Sequence, residues 1–158
     1  MFLFRREYKD IVVESLKYCI SNKGLELYAW CIMSSHIHLI IGTESTKMED
    51  IIRDMKKFTS KSIIKSIKEN PTESRREWMI WMFERAGKRN SNNENYQFWQ
   101  QHNHPIELST PLIARQKLNY LHHNPVEAGF VEEASEYLYS SAKDYQGKTG
   151  LITIKFLF

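Results

Sequence analysis

Residues 25–42, LELYAWCIMSSHIHLIIG, decide the fold. Residues 25–33 are dense in apolar and aromatic side chains and read as a strand. Ser34-Ser35 is a turn signal. Residues 36–42 read as a second strand, antiparallel to the first because the connection is so short. Working outward, residues 6–22 place Tyr8, Ile11, Val12, Leu16, Cys19 and Ile20 at helical spacing, and Asn22-Lys23-Gly24 ends that run. Residues 46–69 predict a long amphipathic helix with Met48, Ile51, Ile52, Met55, Phe58, Ile63 and Ile67 inward, stopped by Pro71. Residues 73–87 predict another helix, carrying Trp78, Trp81, Met82 and Phe83. Residues 88–95 read as a polar loop and residues 96–99 as a short strand. Ser109 or Thr110 caps the next helix, Pro111 suits its first turn, and Pro125 closes it. The tail 151–158, LITIKFLF, reads as a strand. This order specifies an α+β domain with a small antiparallel sheet.

A length of 158 residues fits one domain, spanning 1–158. Hydrophobic residues make up 42%, enough for a real core, which excludes wholesale disorder. No apolar stretch approaches the roughly 18 residues of a membrane span. The apolar start is too short for a signal peptide. Cys19 and Cys31 cannot build a disulfide framework, so the chain reads as cytoplasmic with reduced thiols.

The net charge of +3 hides an uneven distribution. Residues 53–89 hold 11 of the 22 Lys and Arg against five acids, a local excess of six, which leaves the remainder net negative. Arg53, Lys57, Lys61, Lys65 and Lys68 recur at helical spacing and form one stripe. Such a stripe is the footprint of a polyanion partner or an ordinary solvated helix face.

Two pairs can carry chemistry. His36 and His38 are two apart on a strand and point the same way. Convergent imidazoles are half of a metal site, or two unrelated histidines on an open face. Tyr120 and Asn124 are four apart on a helix and share a face, with Gln116 one turn earlier. A phenol can be a nucleophile and an amide oxygen can hold a hard metal. The bland reading is a packed Tyr and a capping Asn. His102, His104, His122 and His123 form an alternative zinc cluster.

The sequence as a whole resembles a known family. An H-hydrophobic-H strand, a long basic helix, NYLHHNPVEAGFV (119–131) and YLYSSAKDY (137–145) together resemble the single-tyrosine HUH transposases, REP-associated tyrosine transposases among them. The similarity runs from about residue 6 to the C-terminus.

That resemblance implies a ferredoxin-like antiparallel sheet with helices on one face. It implies metal-dependent nicking and rejoining of single-stranded DNA, hairpin or palindromic, through a 5′-phosphotyrosine. The nucleophile would be Tyr120, and Mg²⁺ or Mn²⁺ would sit on His36, His38 and Asn124. Arg53, Lys57, Lys61, Lys65, Lys68, Arg85, Lys88 and Arg89 become the phosphate-binding surface. Relatives often dimerise, so a homodimer is expected, with strand or helix exchange as one form of it. The alternative is a decayed or domesticated protein that only binds single-stranded or hairpin DNA. The family's first strand precedes its first helix, and here only Met1-Phe2-Leu3-Phe4 stands there, so that strand is short or missing. A truncated start, a C-terminal strand filling the gap, or a partner chain would each account for this.

Overall fold

A computed structural model describes residues 3, 5–89, 96–100 and 103–158. Chain order gives α1 (Arg6–Asn22), β1 (Leu25–Ile32), β2 (Ile37–Thr43), α2 (Met48–Glu69), α3 (Arg76–Lys88), α4 (Pro111–Glu127), a 3-10 turn (Ala134–Glu136) and α5 (Ala142–Tyr145). The expected α+β class is present: one antiparallel sheet with helices packed against it. Tyr8, Val12, Val13, Leu16 and Cys19 form the buried stripe of α1. Gly24, at φ +72°, makes the reversal into β1 in a conformation that costs a side-chain-bearing residue energy.

β1 and β2 pair through the Ser34-Ser35 turn, with Cys31 opposite His38 and Leu25 opposite Thr43. A bulge between Leu27 and Ala29 shifts the register. Ala29, Trp30, Cys31 and Ile32 are all buried, so β1 is the centre of the core rather than an edge. Burial drives the Cys31 thiol up to about 12, which keeps it an inert neutral group.

The tail departs from expectation. Residues 151–158 are not a strand. The far edge of β1 is already taken by residues 139–141. Ile32 N–H donates to Tyr139 O (2.8 Å) and Ser141 N–H to Trp30 O (2.9 Å). Only Lys155 N–H reaches the strand, at Leu27 O (2.9 Å). Residues 96–99 are likewise not a strand, and Gln97 N–H bonds Phe83 O instead.

The sheet has two strands among the described residues. Most of residues 1–4 and of the loop 88–95 lie outside the described residues. Leu3 is described: it is fully buried, and its N–H donates to Ser34 O (2.7 Å).

α2 packs on α1 through Ile51, Met55, Ile63, Ile64 and Ile67, while Phe58, expected inward, is 59% exposed. The buried row follows Met55, Thr59 and Ile63, and Phe58 falls one residue off it. Arg5 Nε and the Tyr8 hydroxyl both donate to Glu73 Oε2 (2.8 Å each), pinning the start of α1 to the α2–α3 connection.

α4 runs through Pro125 to Glu127 instead of stopping before it. Proline removes one N–H and one bond near the end of a helix, which a last turn tolerates. Ala128 N–H still bonds Asn124 O, and Gly129 (φ +82°) then ends the helix.

Candidate active site

Two segments far apart in sequence meet beside the sheet. His36 lies in the turn just before β2, and His38 is its second residue. α4 lies against β1 and β2 and carries Tyr120 and Asn124 one turn apart. Thr110 starts this helix firmly: its hydroxyl accepts from Ile113 N–H, and Pro111 occupies the first position. Leu118, Leu121 and Pro125 are buried, which leaves Tyr120 on the wet side, 57% exposed.

The rings of His36 and His38 are 4.7 Å apart, edge to face. His38 and Tyr120 are 5.7 Å apart, also edge to face. Asn124 Nδ2 donates to His38 Nε2 at 2.9 Å. Burial pushes the His38 pKa below its usual value, and the neighbouring His36 adds to this. His38 is therefore a neutral imidazole near neutrality, as a metal ligand must be.

Two imidazoles and one amide are a mixed nitrogen–oxygen donor set that suits a divalent ion with open positions. Half a turn of the Asn124 amide replaces Nδ2 by Oδ1. The same two side chains can therefore hold each other or share an ion. Among the described residues no three His, Cys, Asp or Glu side chains converge. The zinc alternative includes His102, which lies outside the described residues; of its other members, His122 meets Ser141.

Sequence reasoning missed two supporting groups. Ser35 Oγ lies 2.9 Å from His36 Nδ1, which leaves Nε2 as that ring's outward nitrogen. Its adjacency to the histidine pair was the available signal, but a serine pair reads first as a turn. The second is His122. Its ring is buried, and its Nε2 meets Ser141 Oγ at 2.8 Å. Ser141 Oγ in turn accepts from Trp30 N–H (2.9 Å). Burial lowers the His122 pKa to about 4, so the ring that meets Ser141 is neutral near neutrality. This contact fastens α4 to β1 between the catalytic candidates.

The basic residues lie on other elements than this cluster. Arg53, Lys57, Lys61, Lys65 and Lys68 are exposed along α2, and Arg85, Lys88 and Arg89 lie on α3 or at its end. Two of the stripe are engaged: Arg53 bonds Asp50 (3.0 Å) and Asp54 (3.1 Å), and Lys68 bonds the Tyr96 hydroxyl. Among the described residues no helix is long and apolar enough to cross a membrane.

A family model described as Transposase IS200 like matches residues 2–86, more than half of the chain. The matched stretch contains the histidine pair, α2 and most of α3, and ends before Lys88, Arg89 and Tyr120. No curated protein and no solved structure matches.

Proposed function

We propose that this chain, which belongs to the IS200-like transposase family, nicks and rejoins single-stranded DNA through a covalent tyrosine intermediate. Membership makes it a DNA-processing protein of the transposase type, with DNA as its partner. The observation that carries the finer reading is the meeting of His36, His38, Tyr120 and Asn124 within one chain, across 88 residues of sequence.

In this reading the Tyr120 oxygen attacks the scissile phosphorus and loses its proton to solvent. The phosphorus–O3′ bond breaks, and the 3′ oxygen leaves as a hydroxyl by taking up a proton. The 5′ phosphate stays on Tyr120. A 3′-hydroxyl then attacks that phosphotyrosine and regenerates the phenol, so rejoining needs no ATP. His36, His38 and Asn124 would hold Mg²⁺ or Mn²⁺. When bound, that ion neutralises charge on the phosphate and lowers the barrier to attack. Tyr120 is exposed, so a strand can reach it without the helix moving.

The wider reading has a hairpin or palindromic substrate, the phosphate-binding residues of α2 and α3 as its grip, and the cytoplasm as its compartment. It also has the chain acting as a homodimer. The outer edge of β2 supports the dimer: among the described residues it has no strand partner, and its sequence IHLIIGT carries no charge or proline to block pairing. Within each chain the histidines already face their own tyrosine, which favours a site completed in cis.

The test is covalent trapping with Mn²⁺ and labelled hairpin oligonucleotides on a denaturing gel. A protein–DNA band that disappears in Tyr120→Phe and in His36→Ala supports the mechanism. Cleavage that persists unchanged in Tyr120→Phe refutes it. Tight hairpin binding with no adduct moves the assignment to the binding-only alternative.

A further inference from the structure

Helix α3 turns two indoles outward. Trp78 and Trp81 are 46% and 52% exposed, although Met79 and Phe83 already fill the buried face. The guanidinium of Arg85 lies over the Trp81 ring, 5.1 Å from its centroid. Beside this ring runs a groove of about 340 Å³, lined by Lys68, Arg76, Glu77, Ile80, Trp81 and Glu84. Lys68 bonds the Tyr96 hydroxyl, and Arg76 Nη1 donates to the carbonyls of Lys68 and Asn70 (3.4 Å each). These acceptors are neutral. Among the described residues neither cation forms an ion pair, and neither does Glu77 or Glu84.

We propose that this groove binds a single unpaired nucleotide of the DNA, its base stacked on Trp81. The proposal rests on the DNA-processing reading above and adds a binding site that shares no residue with the Tyr120 cluster. An aromatic face beside cations is how proteins hold single strands without a duplex, because every base has a stacking face. The volume is at the lower end of small-ligand sites, right for one nucleotide and too small for a helix of DNA. Charge assigns the orientation. Two carboxylates repel a run of phosphates, so the base enters the groove and its phosphate turns toward Lys68 and Arg76. Carboxylates accept hydrogen bonds, so they favour a base with an exocyclic amine. Cytosine presents N4–H₂ where thymine presents O4, and the groove therefore prefers cytosine to thymine.

The experiment measures binding of the full chain at fixed salt to three strands of about a dozen units: oligo-dC, oligo-dT and an abasic phosphodiester. Trp81→Ala should weaken oligo-dC about tenfold, and Trp81→Phe should restore most of that. Neither should change affinity for the abasic strand. The double variant Glu77→Gln, Glu84→Gln should bring oligo-dC and oligo-dT within about twofold of each other. A Trp81→Ala protein that binds oligo-dC like the wild type overturns the proposal, as does an equal loss on dC and abasic strands. Adduct formation on Tyr120 with no Trp81 effect removes this site alone. A chain that binds no strand at all removes this site together with the parent reading.

Discussion

The β2–α4 cluster and the α2–α3 surface are opposite kinds of construction. The cluster joins His36 and His38 to Tyr120 and Asn124 through a sheet, a long loop and a helix capped at Thr110. In the proposed mechanism each member does a different job. The α2–α3 surface is local: its cations follow one another along two consecutive helices at spacings set by the helical turn. In the proposed reading its members do similar work and replace one another. A reaction centre needs dissimilar groups at ångström spacing, whereas a grip on a polyanion needs only enough charge on one side.

The predictions test that contrast. The largest effect is expected for Tyr120→Phe, which should abolish the covalent adduct while leaving DNA affinity within about twofold. A large loss of affinity would mean that the exposed phenol is a DNA contact rather than a nucleophile. His38→Ala should lower metal-dependent cleavage by about a hundredfold or more, the usual scale for losing one preorganised electrostatic group. His36→Ala should follow it, and Ser35→Ala should have a smaller effect, read as weaker Mn²⁺ dependence.

The His122 clamp gives a pH signature. Its folded pKa of about 4 is below the ordinary 6.5, so the unfolded chain binds the proton more readily. Stability from the neutral ring is complete above about 6.5 and is lost as pH falls toward 4. The loss reaches about 3 kcal/mol. Thermal melts of wild type and His122→Gln between these pH values should converge as the wild type weakens. Parallel melts would argue against the burial of the His122 ring.

The smallest effects should come from single cations. Replacing Lys57, Lys61 and Lys65 together by alanine should flatten the salt dependence of single-strand binding by about two units of log–log slope. Arg53→Ala, whose guanidinium already bonds Asp50 and Asp54, should change affinity less than twofold. If Arg53→Ala matched the triple variant, the surface would be a specific site rather than a shared one.

Much of this was legible in the amino-acid order. The α1 stripe, the β1–β2 hairpin and the N-cap of α4 are local signals, and the structure reproduces them within a few residues. The H-x-H spacing placed His36 and His38 side by side, and their rings are in contact. The tail misled because LITIKFLF has strand composition, yet a strand also needs a free edge, and residues 139–141 occupy that of β1. Pro125 misled because its cost depends on how near the helix end lies. His122 read only as a candidate zinc ligand, since Ser141 is 19 residues away and only packing brings the two together.

The sequence alone determined the element types, the charge segregation and the inventory of reactive side chains, because each depends on neighbours within a few residues. Only the tertiary structure decided that β1 is central, that the tail is not a strand, and that Asn124 turns to His38 rather than capping its helix. Those outcomes depend on competition among distant segments for the same edge or lone pair, and that competition is resolved by packing.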